Sequence, residues 1–376
     1  MFRALLKATL ARGLSATGVD RAYSRLSGAA GRPLVIGYHR VVEDFAAAAR
    51  ESIPAMLTSI RMLEAHLDWI GRRYRFVSLD ELGAILDSGI KPRKPVAAIT
   101  FDDGYRDVYY HALPLLRRKG IPAGVFLVTE LTGTTRIPLH DHLYLLLQRA
   151  GRLPSFGPAE VGRMLRRLDI PARDLARSWT RAKDPFVRLG ALYDALPQDD
   201  LLRLVAALQE RVEVDESELE PFRLLTWEMA RALLEAGIAV GSHTRTHSLL
   251  THEHPAHVLD ELDGSRRELR EHLGIEARHL AYPAGCFTSS VVSAAASAGY
   301  RYGYVTCQHH DPVLPLLTIP RRLLWEHACV DARGRFSPSI MSCQVSSLLD
   351  LTRRCGMEHA DLAVPSTARA PEAQTL

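Results

Sequence analysis

Ile99-Thr100-Phe101-Asp102-Asp103-Gly104-Tyr105 is an apolar run that ends in two adjacent carboxylates and a glycine. The run predicts a buried strand over 95–101, followed by a turn in which Gly104 has a positive φ. One interpretation is an ordinary Asp-Asp-Gly turn with both side chains in water. At the buried end of a strand, however, two like charges are costly unless a cation or a reaction uses them. The rest of the chain must decide between these interpretations.

Strand-like and helix-like segments alternate on both sides of this run. A strand over 33–38 delivers His39 at its end, and a short strand over 75–78 precedes the central run. The further strands are predicted over 123–128, 238–242, 280–283, 302–306 and 318–323, and the helices over 56–70, 79–86, 105–119, 227–236, 255–273 and 288–298. Six to eight β/α repeats without a Gly-rich dinucleotide fingerprint predict an α/β protein with a distorted, TIM-barrel-like β/α barrel.

Changes in this alternation suggest the domain limits. We expect an N-terminal amphipathic helical segment over 1–32, a barrel over 33–330 and a C-terminal extension over 331–376, which is polar and disordered from about Met357. Within the barrel, the helical and strongly charged stretch of about 136–222 predicts an α-helical insertion. It could be a lid, a partner surface or inert packing.

Composition excludes several classes of protein. The chain of 376 residues has 47 Lys and Arg against 43 Asp and Glu, an excess too small and scattered to indicate nucleic-acid binding. Five cysteines without regular spacing indicate reduced thiols, and neither a disulfide framework nor a thiolate zinc site. No run is long enough to span a membrane, and the apolar start is too short for a convincing export signal, so we expect a cytoplasmic protein.

The first residues do form a short basic amphipathic helix. Its apolar residues are Phe2, Leu5, Leu6 and Leu10, and its cations are Arg3, Lys7 and Arg12. Such a helix could lie on an anionic membrane surface or dock on its own domain.

Candidate functional residues follow several of the predicted strands. Asp102 and Asp103 follow the central strand, His39 the first, and His243 the strand over 238–242. In a β/α barrel these ends share one face, so the side chains should converge. Among the sixteen histidines, His243 and His247 are the only pair four residues apart, a spacing that brings both imidazoles to one face of a helical turn.

Two histidines and one carboxylate are the ligands of an open catalytic metal site. The two aspartates must then differ in role. We assign Asp103 as the metal ligand, together with His243 and His247. Asp102, kept off the metal, is the base that takes the proton of the attacking water.

Three segments also carry a resemblance to a known family. Thr100-Phe101-Asp102-Asp103-Gly104, the Ser-His-Thr-Arg-Thr-His segment of 242–247 and Ala281-Tyr282-Pro283-Ala284-Gly285 resemble the first three motifs of the polysaccharide deacetylase family, the NodB homology domain. The branch that it resembles opens with Tyr-His-Arg, here 38–40. The resemblance spans about 34–323. It implies a distorted β/α barrel, a divalent metal that is usually zinc, and hydrolysis of the N-acetyl amide of an N-acetylhexosamine.

The resemblance also shows where this chain departs from the family. Many members position the base with an arginine in the third motif, where this chain has Ala281; Arg321 or Arg322 could replace it or could serve elsewhere. The oxyanion-binding amide would be that of Ala284. The two later motifs, which supply a general-acid histidine, have no clear match. His39 is our candidate because it follows a strand, and the alternatives are His309, His310 and His327. His140-Asp141 could line the cleft or cap the next helix.

The sequence thus predicts a metal-dependent hydrolase that removes the N-acetyl group from N-acetylhexosamine residues of a glycan or a lipid-linked sugar precursor. Two alternatives stay open: a non-catalytic carbohydrate-binding barrel, and hydrolysis of another amide such as a formyl or cyclic amide. The basic N-terminal helix would suit a peripheral position on the inner membrane face.

Overall fold

The computed structural model describes residues 2–28, 31–153, 156–170, 184–349 and 355 of the protein. The predicted disorder beyond Met357 lies outside these residues. The strands are Leu34–Tyr38 (β1), Arg40–Val42 (β2), Leu57–Ser59 (β3), Arg75–Phe76 (β4), Val96–Phe101 (β5), Gly124–Leu127 (β6), Ala239–Ser242 (β7), His279–Ala281 (β8), Tyr302–Val305 (β9), Ile319–Pro320 (β10) and Arg322–Leu323 (β11).

The main sheet is parallel throughout and nearly closed. Its neighbouring strands run in the order β10, β9, β8, β7, β6, β5, β1, β11, and β4 adds to the start of β5. The two ends of this order, β10 and β11, are separated in the chain by Arg321 alone. One short segment therefore closes the sheet, because it pairs with β9 on one side and with β1 on the other. This arrangement confirms the predicted distorted β/α barrel.

Helices cover the barrel and fill the long connection between β6 and β7. They are Phe2–Ala16 (α1), Val19–Leu26 (α2), Phe45–Ala48 (α3), Ile60–Gly71 (α4), Leu79–Ser88 (α5), Leu113–Lys119 (α6), Leu139–Ala150 (α7), Pro158–Arg167 (α8), Pro185–Tyr193 (α9), Gln198–Gln209 (α10), Glu216–Leu219 (α11), Trp227–Glu235 (α12), Pro255–Leu273 (α13), Ser289–Ser297 (α14) and Pro338–Val345 (α15). Thr226 and Thr288 cap α12 and α14 with their hydroxyls, as the sequence suggests.

Three predicted elements differ from those observed. The helix expected over 56–70 begins only at Ile60, because the residues before it form β3, which pairs with β2, and Ser59 caps the helix. The helix expected over 105–119 starts as a π-helical turn, Val108–Ala112. The last strand, expected as one piece over 318–323, is broken at Arg321.

The connection between β6 and β7 has an apolar core of its own. Buried residues of α7 to α10, among them Leu143, Leu147, Leu192 and Leu208, form this core, and Ile53 joins it from the loop before β3. Helices thus occupy the described parts of the predicted insertion, and the segment packs on the barrel near the ends of its strands.

The N-terminal helix combines features of both interpretations of its sequence. Helix α1 docks on α15 through Ala8 and Ala11, which are buried. Leu5, Leu6 and Leu10 each remain more than half exposed. Among the described residues, no helix has the length and apolar character needed to span a bilayer.

Candidate active site

The residues predicted to carry chemistry meet at one end of the barrel. Asp102 and Asp103 follow β5, His39 follows β1, His243 follows β7, and Ala284 lies in the turn after β8. Because these strands are parallel, their C-terminal ends share one face.

Asp103, His243 and His247 form the centre of this site. The Asp103 Oδ1 atom lies 3.5 Å from His243 Nε2 and 3.3 Å from His247 Nε2. Both carboxylate oxygens of Asp103 are buried and have no hydrogen-bond partner in the part of the chain that the structure describes. Burial, and then the charges of Asp102 and Asp141, raise the pKa of Asp103 well above its usual value. A buried carboxylate in this condition calls for a cation.

The tautomer of His243 strengthens this conclusion. Its Nδ1 lies 2.7 Å from the carbonyl oxygen of Ala281, which can only accept, so Nδ1 carries the proton. The Nε2 atom therefore presents a lone pair to the Asp103 oxygen, another acceptor. Tetrahedral zinc bonds of about 2.0–2.1 Å place neighbouring N and O ligands about 3.4 Å apart, close to the two distances observed. The three residues thus fit a divalent cation, and the backbone bond to His243 is the kind of outer contact that orients a metal-binding imidazole.

The loop that carries the two histidines is not helical, contrary to our expectation. Thr244 and His247 both have positive φ, 64° and 67°, so the chain turns back on itself after β7. The buried carboxylate of Glu261, from α13, accepts hydrogen bonds from the backbone N–H groups of Arg245 and Thr246 and from the Thr246 hydroxyl. The imidazoles still meet, with ring centroids 4.9 Å apart, but a strained loop held by Glu261 brings them together.

Asp102 is held by an arginine from the far end of the chain. Arg321 donates from Nη1 to Oδ1 at 2.6 Å and from Nη2 to Oδ2 at 2.7 Å. Burial alone would raise the pKa of Asp102, but Arg321 and the nearby imidazoles more than offset it and hold the pKa below its ordinary value. The pKa of Asp102 is therefore lowered while that of its neighbour Asp103 is raised, as separate roles for the two carboxylates require.

Arg321 holds the proposed base, the role for which this chain has no arginine at Ala281. Its guanidinium lies over the rings of Phe126 and Tyr304, at 5.3 and 5.9 Å from their centroids. Ala281 is buried in the same apolar cluster as these two rings. The arginine therefore reaches the base from the segment that closes the barrel and not from the strand that carries the third motif.

A second polar group borders the cleft. The Tyr105 hydroxyl lies 2.9 Å from His140 Nε2 and donates to Asp141 Oδ2 at 2.5 Å, and the ring of His140 is 5.0 Å from that of His247. Burial raises the pKa of Asp141 to about 6. His140 and Asp141 thus line the cleft; they do not cap α7, whose N-cap is Pro138.

The Tyr-His-Arg segment contributes differently at each residue. Burial lowers the pKa of His39 to about 4, with Asp102 as the nearest opposing charge, so the imidazole is neutral at pH 7. Arg40 is buried between the rings of Tyr105 and Phe222 and pairs with Asp107 at 2.9 Å. His39 therefore belongs to the site, whereas Arg40 fixes Tyr105 and the end of the insertion.

The insertion also reaches the site, which the sequence did not indicate. The Tyr193 hydroxyl, at the end of α9, is buried without a hydrogen-bond partner among the described residues. Burial, and then the charges of Asp141 and Asp103, raise the pKa of Tyr193. Gln198, at the start of α10, donates to the Thr246 hydroxyl at 2.6 Å and so contacts the histidine loop.

Comparison with known proteins identifies the family of the chain. The family model for polysaccharide deacetylases matches residues 89–169 and 189–303, more than half of the chain. The chain belongs to the polysaccharide deacetylase family. A stretch of 71 residues is 35% identical to YxkH of Bacillus subtilis, a relative named for the same family; the match covers 19% of this chain and 25% of that protein. This chain thus matches about a quarter of the length of its curated relative.

Solved structures of the same fold cover most of this deacetylase-family chain. Deacetylase PplD of Streptococcus pyogenes, solved in complex with acetate, has a TM-score of 0.52 at 17% identity and covers 84% of this chain and 98% of its own. IcaB of Ammonifex degensii has a TM-score of 0.50 at 17% identity, with 84% and 97% covered. At these identities, the similarity establishes the fold.

Proposed function

We propose that the protein is a metal-dependent hydrolase that removes the N-acetyl group from N-acetylhexosamine residues of a glycan or a glycolipid precursor. The observation that carries the proposal is the set of acceptor atoms on Asp103, His243 and His247, which face one another beside the arginine-bound Asp102. Membership in the polysaccharide deacetylase family supports the substrate class. Acetate, the ligand in the PplD structure, is the acid that this reaction would release.

Each residue has a separate role in this proposal. A divalent cation held by Asp103, His243 and His247, which we propose to be zinc, would polarise the amide carbonyl and lower the pKa of the attacking water. Asp102 accepts the proton of that water, because Arg321 keeps it ionised and each of its oxygens retains a second lone pair. The salt bridge also fixes the plane of the carboxylate.

Ala284 stabilises the oxyanion, and His39 protonates the leaving amine. Ala284 has a positive φ of 53° and lies in an exposed turn next to the site, where its backbone N–H can donate to the developing oxyanion. His39 is the donor to the leaving amine. Because it is neutral at rest, it must first take up the proton that Asp102 receives from the water.

Acetate release tests the proposal directly. N-acetylglucosamine oligomers and lipid-linked N-acetylsugars should yield acetate with the metal-loaded protein and lose most of that turnover with a chelator. Asp102→Asn should retain the metal and lose activity, whereas Asp103→Asn should lose both. If no acylated amino sugar turns over while oligomers still bind, the protein is a carbohydrate-binding barrel. Turnover of a formyl or cyclic amide alone would move the proposal to another substrate.

We further propose that the enzyme works at the surface of an anionic membrane, on a lipid-carried precursor in the cytoplasm. The exposed Leu5, Leu6 and Leu10 form one apolar stripe on α1, and the exposed cations Arg12, Arg21 and Arg25 lie on α1 and α2. Apolar insertion next to cations is how interfacial helices bind anionic lipid.

Vesicle sedimentation tests this surface. The protein should sediment with vesicles that contain phosphatidylglycerol and much less with phosphatidylcholine alone. Replacing Leu5, Leu6 and Leu10 together with Gln should abolish the difference. Leu202→Gln, at an exposed position in the insertion, is the matched control. Equal sedimentation of the triple variant and the native protein would reject the membrane role and leave the hydrolase untouched.

A further inference from the structure

Two cysteines and a histidine meet at the active-site end of the barrel, outside the site described above. Cys307 and His309 follow β9, and Cys355 lies beyond α15. Their ligand atoms, two sulfurs and one imidazole nitrogen, all lie within 4.8 Å of one another. Cysteine spacing does not predict this cluster, because 48 positions separate Cys307 from Cys355 and neither belongs to a Cys-x-x-Cys pair.

We propose that Cys307, His309 and Cys355 bind a structural zinc ion. Two thiolates and an imidazole are ligands that zinc prefers over the hard cations. Bonds of about 2.3 Å to sulfur and about 2.0 Å to nitrogen place tetrahedral ligands about 3.5–3.8 Å apart. The cluster thus needs a contraction of only about 1 Å to reach this geometry.

The surroundings already organise these ligands. The side chains of Cys307 and Cys355 are hydrogen-bonded to each other, and the backbone N–H of His309 donates to the Cys307 sulfur. Such amide contacts stabilise a metal-bound thiolate. The Cys286 thiol interacts electrostatically with both sulfurs but is not among the ligand atoms that lie within 4.8 Å of one another, so the fourth position of the ion falls to water.

Position suggests what the ion does. Thr306, the residue before Cys307, donates through its hydroxyl to the carbonyl of Ala284 at 3.1 Å. Zinc on Cys307 and His309 would therefore hold the loop that supports the Ala284 turn. Through Cys355 it would also tie the segment after α15 to the barrel. The ion would stabilise the loops beside the catalytic centre and take no part in the hydrolysis.

Metal stoichiometry separates this site from the proposed catalytic one. Protein prepared with zinc and a phosphine reductant should hold about two ions per chain, and His243→Ala should hold about one. In that His243→Ala background, Cys355→Ala and, separately, His309→Ala should bring the count to about zero. Cys343→Ala, at a buried cysteine in α15, is the matched control and should leave the count unchanged. An unchanged count in the Cys355→Ala and His309→Ala variants would overturn the proposal.

Cobalt gives an independent readout. The Cys-containing site should show thiolate-to-cobalt charge-transfer absorption, which an Asp-His-His site cannot produce. This absorption should persist in His243→Ala and disappear in Cys307→Ala. Its absence from the cobalt-loaded native chain would reject the thiolate site even if hydrolysis proves metal-dependent. A Cys307–Cys355 disulfide in the native protein, together with no second ion after reduction, would also reject the thiolate site. In the structure all five cysteines lie in the described ranges and none forms a disulfide.

Discussion

Arg321 and Asp102 form a two-pronged salt bridge in the interior of the barrel, with both carboxylate oxygens bound and both side chains almost fully buried. The arginine comes from the break between the two strands that close the sheet. The proposed base and the closure of the fold therefore depend on the same residue.

Arg321→Gln should reduce kcat/KM by at least about 10-fold, because the plane and charge of Asp102 lose their support. Burial then loses its main opposing charge, and the pKa of Asp102 rises. Since the base works only when ionised, the acidic limb of the pH–rate profile should move to higher pH. Arg322→Gln, next in the chain, contacts Ser347 and should leave the limb in place. An unshifted limb in Arg321→Gln would mean that another group is the base.

Glu261→Gln should weaken metal binding by about 10- to 100-fold. The amide side chain cannot accept all three hydrogen bonds that shape the histidine loop, so His243 and His247 lose their mutual placement. Metal affinity measured by competition with a chelating dye checks this. Asp260→Asn is the control, since the exposed Asp260 contacts the Arg245 side chain and not the loop backbone among the hydrogen bonds of the described residues. Equal affinities of the two variants would contradict the role given to Glu261.

Tyr193→Phe should lower kcat/KM by about 2- to 10-fold, the equivalent of one neutral hydrogen bond, with metal content unchanged. The reason is that its buried hydroxyl has no hydrogen-bond partner among the described residues and lies close enough to Asp141 and Asp103 to feel their charges. We expect a polar group of the substrate to supply the missing partner. Tyr144→Phe, in the same insertion core, should have no such effect. A wild-type rate for Tyr193→Phe on every active substrate would show that the insertion only packs.

His66 should make the fold sensitive to acid. Burial lowers its pKa to about 4, from about 6.5 in the unfolded chain. The unfolded state takes up the proton first, so stability falls as the pH drops from about 6.5 to about 4, by about 3 kcal/mol from this residue. His66→Phe keeps the packing against Tyr38 and Phe336 and should reduce the change of the unfolding free energy with pH. Urea unfolding between pH 4 and 7 measures it; parallel curves for the two proteins would contradict the assignment.

Local patterns predicted the barrel and the place of its carboxylates well. The strand before Asp102 is a continuous apolar run, and a parallel barrel gathers all strand ends, so Asp102, Asp103, His39 and His243 could be grouped before the structure was known. The four-residue spacing of His243 and His247 indicated two imidazoles that do lie side by side, but the helical turn expected between them is absent. The two histidines are joined by a loop with positive φ angles, which depends on hydrogen bonds to Glu261. Such a loop has no periodic pattern in the sequence.

Long-range contacts account for what the sequence could not supply. Arg321 was one of two adjacent arginines, and only the break in the last strand, which follows from pairing with β9 and β1 at once, decides which one turns inward. Tyr193 looked like any aromatic residue in a helix, and its role depends on how the insertion folds over the cleft. Cys355 lies 48 positions from Cys307, so no local pattern indicates that their ligand atoms meet.

The split strand has a consequence for biosynthesis. Asp102 and Arg321 are 219 positions apart, so at about 5–20 residues per second the ribosome would need about 10–45 s to make the arginine after the aspartate. During that interval, the emerging half-barrel holds a pair of carboxylates with no counter-charge from Arg321. A nascent chain therefore reaches the arginine-bound form of its proposed base only after translation has delivered the closing segment.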